Sequence, residues 1–203
     1  MMTVRLRISA RNMETKKEIR SRLKKQRSLL GADECRSMSH EIYKRLTALE
    51  LDREYDNILL YSAIRNEVNT DEYFACLINK AKKIYYPRVS GDEMSFYRVR
   101  SLDELNCGSF NINEPDMTDE YTEADGRALM IVPGLGFSYT GYRIGYGKGF
   151  YDRYLSSFTK RDTVMAVGVG YDFQLLGNVT FEDEYDVPLD GVITDKREVF
   201  IDD

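Results

Sequence analysis

The chain has no tryptophan, a single histidine and no apolar run that approaches the length of a membrane span. A helix that crosses a bilayer needs about 20 predominantly apolar residues, so the sequence predicts none. One histidine cannot build a multi-histidine metal site, and the polar surroundings of His40 indicate a surface position. The chemistry must therefore come from carboxylates, lysine and arginine, tyrosine, backbone amides or a bound ligand.

Cysteine is also scarce. Cys35, Cys76 and Cys107 are odd in number, widely spaced and form no CxxC pair. This spacing supports neither a zinc site nor a disulfide framework. Reduced thiols in a cytoplasmic protein are the simplest interpretation.

Charge is distributed unevenly along the chain. Residues 1–30 carry ten Lys and Arg against two Glu, whereas the remaining 173 residues carry 19 Lys and Arg against 32 Asp and Glu. A basic segment on an acidic body is not typical of a general nucleic-acid surface. It fits a local anion site, a tail, or an arm that binds its own body.

The basic segment contains two patterns. Residues 1–13 have arginines and no acids, and we interpret them as a flexible leader, with Met13 as an alternative functional start. From Glu14 the pattern is helical, with Ile19 and Leu23 on an apolar stripe. A neighbouring basic stripe has the same spacing and by itself is typical of a solvated face. It consists of Lys16, Arg20, Lys24 and Arg27.

Short apolar strands alternate with helical segments along the rest of the chain. This alternation indicates a three-layer α/β/α fold with a Rossmann-like, mostly parallel sheet and the N-terminal helical arm packed on it. No linker composition appears, so residues 14–203 are predicted to form a single domain. The predicted strands cover residues 57–61, 83–86 (stopped by Pro87), 94–99, 128–132, 164–169 and 191–194.

Ligands of such folds bind at the carboxyl ends of the strands. Four loops are expected to follow predicted strands and are therefore candidates for one shared crevice. They cover residues 62–67, 133–149, 170–174 and 186–190.

A glycine-rich stretch over residues 132–155 follows a buried strand and leads into a helix. It reads VPGLGFSYTGYRIGYGKGFYDRYL and contains six of the 14 glycines. Glycine lets the backbone approach an anion closely, and free N–H groups at a helix N-terminus point at it. The pattern predicts a phosphate site, and the alternative is a turn that only connects two elements.

This loop does not match the common nucleotide motifs. From Gly141 to Lys148 it is one residue too long for a Walker A motif, and Gly149 stands where Ser or Thr belongs. Its G-x-G-x-G run also differs from the dinucleotide fingerprint. Arg143 and Lys148 nevertheless flank backbone amides that could cradle a polyphosphate. The glycines beside them are Gly145, Gly147 and Gly149.

Asp152 falls in the first turn of the following helix, beside the proposed phosphates. A carboxylate there would repel phosphates unless a cation lay between, and Mg²⁺ usually binds through one or two carboxylates plus substrate phosphates. We therefore predict a magnesium–nucleotide complex, with Asp190 as the second carboxylate on the basis of strand order. Alternatively, Asp152 only favours the helix N-terminus electrostatically.

Together these segments resemble the 5-formyltetrahydrofolate cyclo-ligase family, also called 5,10-methenyltetrahydrofolate synthetases. The glycine-rich stretch is similar to the family signature G-x-R-[LI]-G-x-G-x-G-[YF]-Y-D. The resemblance keeps the family order over roughly residues 14–195. Its other parts are residues 16–27, 61–70, 86–88 and 186–194.

The resemblance implies a ligase that uses MgATP to convert 5-formyltetrahydrofolate into 5,10-methenyltetrahydrofolate. The formyl oxygen takes the γ-phosphoryl group, N10 attacks the formyl carbon, and ADP and phosphate leave. Such a transfer depends on positioning and charge stabilisation, which agrees with a chain that lacks a Ser–His or Cys–His apparatus. Two other classes stay open: a regulator or enzyme on the same fold, and a nucleic-acid-binding module built on residues 1–30.

The resemblance also implies roles for individual residues. Arg143 and Lys148 would supply the catalytic charges, and Asp152 and Asp190 would hold magnesium. ATP would be bound by Lys16, Arg20, Arg143, Gly145, Gly147, Lys148, Gly149 and Tyr151. The folate would contact Glu67, Tyr146, Lys148 and Phe150.

Two positions depart from the usual family pattern. Tyr146 stands where many members have arginine, so Arg143 or Lys148 would carry more of the phosphate charge. Tyr185 replaces a frequent histidine, which puts that histidine's orienting role in doubt here. The predicted partners are the two small-molecule substrates, without nucleic acid or membrane. A monomer is expected because no large apolar stripe is left over.

Overall fold

The computed structural model describes residues 14–177 and 183–201. The predicted leader over residues 1–13 lies outside the described residues. The helices are α1 (Lys16–Ser28), α2 (Ala32–Leu49), α3 (Asp71–Asn79) and α4 (Phe150–Ser156). The strands are β1 (Asn57–Leu59), β2 (Lys83–Ser90), β3 (Glu93–Arg98), β4 (Asn106–Cys107), β5 (Asn113–Glu114), β6 (Ala128–Pro133), β7 (Gly136–Phe137), β8 (Arg143–Ile144), β9 (Val164–Val169), β10 (Gly191–Ile193) and β11 (Glu198–Phe200).

Seven of these strands form one sheet in the order β11-β10-β9-β6-β1-β2-β3. Neighbouring strands from β10 to β2 are parallel, and the edge strands β3 and β11 run antiparallel to their neighbours. The mostly parallel α/β sheet predicted from the alternation of strands and helices is confirmed. The remaining strands form two short antiparallel pairs, β4 with β5 and β7 with β8.

Two apolar cores lie on opposite faces of the sheet. In β1, Ile58 belongs to the core that contains Ile42 of α2, whereas Leu59 belongs to the core that contains Leu155 of α4. Successive side chains of a strand point to opposite faces, so this alternation places helices on both sides. The three-layer arrangement follows directly from it.

Helix α1 packs beside the glycine-rich segment. Its Ile19 and Leu23 form a small third core with Leu135 and Ile144. Thr15 caps the helix, because its side chain accepts a bond from the Glu18 N–H while the Glu18 carboxylate accepts one from the Thr15 N–H. The predicted N-terminal arm is thus a capped helix docked on the body of the protein.

Strand β2 extends further than expected, because Pro87 does not stop it. The Val99 N–H donates to the Ile84 carbonyl, so hydrogen-bonded pairs of β2 and β3 alternate from that point. Pro87 lies opposite Phe96, in a pair without hydrogen bonds. The proline nitrogen faces the neighbouring strand β1, whose pairing with β2 ends at Tyr85. The missing N–H therefore breaks no bond of the sheet.

Candidate functional site

A cavity of about 550 Å³ lies between α1, the segment after β1, the end of β6 and the glycine-rich loop. Two of the four predicted crevice loops contribute broadly to it, those over residues 62–67 and 133–149. From the loop over residues 186–190, Asp186 lines the cavity, and no residue of 170–174 does. The predicted site residues that line it are Lys16, Arg20, Glu67, Arg143, Gly145, Tyr146, Gly147, Lys148, Gly149, Phe150, Tyr151 and Asp152.

The glycine loop follows the β7–β8 ribbon and ends at the first turn of α4. Gly147 and Gly149 have φ angles of 96° and 68°, in the left-handed region that other residues rarely adopt. Gly145 is needed for a different reason. A Cβ there would lie 2.5 Å from Nη1 of Arg143, so a larger residue would displace that guanidinium.

Arg143 and Asp152 form an ion pair in the wall of the cavity. Nη2 of Arg143 donates to Oδ2 of Asp152 at 2.8 Å, and the guanidinium lies 5.3 Å from the centroid of the Tyr151 ring. Nε of Arg143 is buried and has no hydrogen-bond partner among the described residues.

Lys16 brings two further carboxylates to the cavity. Its Nζ donates to Asp183 at 2.7 Å and to Asp186 at 2.5 Å. Burial alone would lower the pKa of Lys16, but the bonds to both carboxylates outweigh it and raise that pKa above its usual value. One turn later, Nε of Arg20 donates to the Gly145 carbonyl at 2.8 Å, which ties α1 to the glycine loop.

The structure does not place Asp190 among the residues that line the cavity, which differs from the expectation based on strand order. Oδ2 of Asp190 accepts a bond from the Ala166 N–H at 2.6 Å, and Asp190 is not among the cavity-lining residues. Asp190 directly precedes β10, so it lies at the amino end of that strand, whereas the cavity lies at carboxyl ends. Asp186, four residues earlier, is the carboxylate of this segment that lines the cavity.

Glu67 lies in a buried cluster with Tyr146 and Arg27. The Tyr146 hydroxyl donates to Oε1 of Glu67 at 3.1 Å and accepts a bond from Nη2 of Arg27. Nη2 of Arg27 is also 3.5 Å from Oε1 of Glu67. Burial raises the pKa of the Glu67 carboxyl, and the charge of Arg27 opposes that rise. Burial, followed by the Glu67 charge, raises the pKa of Tyr146 to about 12.

Arg27 was not predicted as a site residue, although its spacing in the sequence gave a signal. Arg27 follows Ile19 and Leu23 at intervals of four residues, so it belongs to the face that α1 buries. Lys16, Arg20 and Lys24 line the cavity from the adjacent face. The basic stripe is therefore more than a solvated face, although Lys24 is also exposed to solvent.

The mouth of the cavity is aromatic. Phe150 lies 6.4 Å from Phe110, measured between ring centroids, and Nζ of Lys148 is 5.9 Å from the Phe110 ring. Phe110 is exposed and has a φ of 58°. The loop composition gave no indication that this residue would reach the cavity.

Within residues 14–177 and 183–201, no three or more His, Cys, Asp or Glu side chains are grouped as a metal site. Among the helices of the same ranges, none has the length and apolar character needed to cross a membrane. His40 pairs with Glu72 on the surface, as expected, and the three cysteines are free.

Comparison with known proteins shows which family this chain belongs to. The model of the 5-formyltetrahydrofolate cyclo-ligase family matches residues 12–195. The chain belongs to the 5-formyltetrahydrofolate cyclo-ligase family. The resemblance of the glycine-rich stretch is thereby confirmed, and the family and its named members indicate a ligase.

Individual cyclo-ligases match along most of their length. The 5-formyltetrahydrofolate cyclo-ligase of Mycoplasma pneumoniae is 30% identical over 184 residues, which cover 89% of this chain and 99% of that protein. The mouse enzyme of the same name is 27% identical, with 88% and 92% covered. The NMR structure of Aquifex aeolicus 5,10-methenyltetrahydrofolate synthetase has a TM-score of 0.79 at 34% identity and covers 93% of both chains.

Proposed function

We propose that this protein cyclises 5-formyltetrahydrofolate to 5,10-methenyltetrahydrofolate in a reaction that consumes ATP, requires Mg²⁺ and releases ADP and phosphate. One observation carries this proposal. A single cavity collects Lys16 and Arg20 from α1, Glu67 from the segment after β1, and the loop over residues 143–152. These segments are distant in sequence, and each carries a group that one of the two substrates needs.

The phosphates of ATP fit the wall formed by α1 and the glycine loop. Lys16, Arg20, Arg143 and Lys148 place positive charge there. Arg143 is among the lining residues, and a guanidinium suits hydrogen bonding to phosphate oxygens. Gly147 and Gly149 keep side chains away from the backbone amides of the loop, which suits close contact with an anion.

The same wall fits a magnesium ion. Asp152 and Asp186 both line the cavity, and carboxylates combined with substrate phosphates are the usual ligands of Mg²⁺ in enzymes. We assign Asp152 and Asp186 to the metal, with Asp186 in the place first given to Asp190. The ion would neutralise part of the phosphate charge as the phosphoryl group is transferred.

The folate fits the side of the cavity where Glu67 lies, and it shares part of the glycine loop with ATP. The carboxylate of Glu67 can accept hydrogen bonds from the donor edge of the pterin ring, and Tyr146, Lys148 and Phe150 border the same space. Tyr151 lies in the wall where the two substrates meet. Burial raises its pKa, so its hydroxyl stays protonated and acts only as a neutral hydrogen-bonding group.

The reaction would proceed in two balanced steps. The formyl oxygen attacks the γ-phosphorus, and the bond from that phosphorus to the β,γ-bridging oxygen breaks to release ADP. N10 then attacks the formyl carbon and loses its proton, while the carbon–oxygen bond breaks and the oxygen leaves within phosphate. Arg143 and Lys148 would stabilise the charge on the transferring group, and the walls of the cavity would hold N10 near the carbon.

Absorbance of the methenyl product tests this proposal. The purified protein is mixed with 5-formyltetrahydrofolate and MgATP, and the near-ultraviolet absorbance of 5,10-methenyltetrahydrofolate is followed. A rise that needs both ATP and Mg²⁺ is expected, with omission of each as a control. No ATP-dependent rise would contradict the proposal.

The nucleic-acid alternative gains no support from the placement of the basic stripe, because its side chains line the cavity or are buried. Monomeric state, cytoplasmic location and the absence of a nucleic-acid partner stay predictions.

A further inference from the structure

The C-terminal end of α1 is fastened to the segment that carries Glu67. Arg27 donates from Nε to the Arg65 carbonyl and from Nη1 to the Gly134 carbonyl, both at 3.1 Å. In return, the Asn66 side chain donates to the Arg27 carbonyl at 3.1 Å. Arg27 therefore joins α1, the Glu67 segment and the end of β6.

The Glu67 segment has a backbone that needs such support. Arg65 and Asn66 have φ angles of 50° and 59°, two consecutive residues in the left-handed region. Non-glycine residues keep this conformation only where their surroundings impose it. Arg27 donates one bond to Arg65 and accepts one from Asn66, so both bonds involve these two residues directly before Glu67.

The side chains of Arg27 and Glu67 are only 3% and 5% exposed. A buried charge persists only when it is paired and hydrogen-bonded. Oε1 of Glu67 has the Tyr146 hydroxyl and Arg27 beside it, and Oε2 accepts a bond from the Ile64 N–H at 3.0 Å. An ionised carboxylate offers about four acceptor positions, so Glu67 retains capacity for a ligand in the cavity.

We propose that Arg27 is a positioning residue for the folate, because it keeps Glu67 ionised and oriented for the pterin ring, both directly and through the Tyr146 hydroxyl. This inference rests on the proposed function, since the pterin ring enters only with that substrate. Arg27 itself would touch neither substrate. Its effect would appear in folate binding and leave ATP binding unchanged.

The groups that face Glu67 make Arg27 its principal buried cation. Burial raises the pKa of each of the facing tyrosines, so their hydroxyls stay neutral. Arg65 is exposed to solvent, which screens its charge. Loss of Arg27 should therefore raise the pKa of Glu67 further. The groups that face Glu67 are Arg27 on α1, Arg65 on the Glu67 segment, Tyr61 after β1, Tyr146 on the glycine loop, Tyr151 on α4 and Tyr171 after β9.

The test compares Arg27→Met with Arg22→Met, a control on the same helix. Arg22 is exposed and paired with Glu14 at 2.8 Å, away from the cavity lining. For Arg27→Met we expect the KM for 5-formyltetrahydrofolate to rise about tenfold or more, as for a buried charged partner, with the KM for ATP within about twofold of wild type. For Arg22→Met we expect both KM values to be unchanged.

A second measurement does not depend on activity. NMR of ligand-free protein carrying ¹³C-labelled glutamate carboxyls follows the titration of Glu67, which the spectrum of Glu67→Gln identifies. The pKa of Glu67 should rise in Arg27→Met. In Arg27→Lys, which keeps the charge but not the planar fork, it should rise less. If Arg27→Met does not fold, Tyr146→Phe takes its place, with a higher Glu67 pKa and a folate KM raised a few-fold.

The outcomes separate this inference from the proposed function. Wild-type turnover combined with equal increases in both KM values in the Arg27 variants would overturn the positioning role and leave the cyclo-ligase activity in place. A Glu67 pKa that no variant moves would overturn the link between Arg27 and Glu67, whatever the activity. A wild-type protein without ATP-dependent turnover would overturn the proposed function, and the folate role of Arg27 with it.

Discussion

The two ends of α1 form different kinds of ion pair at the cavity. At the start of α1, Lys16 and Asp186 have side chains that are 24% and 17% exposed, whereas at its end Arg27 and Glu67 are 3% and 5% exposed. Pairs that water reaches are worth about 0–1 kcal/mol, while removal of one partner from a buried pair costs about 3–5 kcal/mol. In the phosphate half, Lys16 can therefore exchange partners when a ligand arrives, whereas the Glu67 half is set before any ligand binds.

The largest effect is expected at Asp152, in the phosphate half. Asp152→Asn removes the carboxylate assigned to magnesium, so kcat should fall on the order of a thousandfold. Steady-state kinetics measures this, and circular dichroism checks that the fold is retained. Near-normal turnover would show that Asp152 serves only the start of α4 and its pair with Arg143.

Lys16→Ala tests whether the first pair is really exchangeable. If Lys16 leaves its carboxylates for a phosphate, the KM for ATP should rise about tenfold while the KM for the folate changes little. Lys17→Ala is the matched control, because Lys17 is the exposed neighbour on the same helix and does not line the cavity. An increase in the folate KM alone would reverse the assignment of the two halves.

The pH dependence of stability tests whether the Glu67 half is fixed. Burial raises the folded pKa of Glu67 above its unfolded value, so the folded state binds the proton more tightly. The contribution of this carboxyl to stability is then greatest below the unfolded pKa and is lost as pH rises through the folded pKa. Urea unfolding of wild type and Glu67→Gln should show a wild-type advantage that declines as the pH rises above the unfolded pKa of about 4.3. An advantage that grows with pH would mean that Arg27 outweighs burial.

The smallest effect is expected from removal of residues 1–12. The described contacts of α1 with its surroundings begin at Glu14 and Thr15, which pair with Arg22 and Glu18. Both KM values should stay within about twofold of the full chain. A large loss of ATP affinity in the same kinetic assay would show that the phosphate half of the cavity includes residues that precede α1.

Local pattern predicted much of the site. The glycine loop, Lys16 and Asp152 reach the cavity because their spacing in sequence already determines their place on a loop or helix face. Asp190 could not be placed this way. The predicted strand over residues 191–194 already puts Asp190 before a strand and not after one. Its distance from the cavity also depends on the register of β10 against β9, which local pattern does not contain.

The fold shows the same limit. Strands β6 and β9 are apolar along their length and lie in the centre of the sheet, so composition predicts them. The edge strand β11 has exposed residues at both ends and no such pattern, and it was missed. The length of β2 beyond Pro87 likewise depends on which neighbour faces the proline nitrogen, which composition does not contain.

The contact between Lys16 and Asp186 joins residues 170 positions apart. During synthesis α1 emerges early, yet the carboxylates that pair with Lys16 are made near the end of the described chain. Ile19 and Leu23 bury their side chains against Leu135 and Ile144, which are also made late. Contacts this distant in sequence form slowly. In the nascent protein α1 should therefore dock late, after the glycine loop and Asp186 have been made.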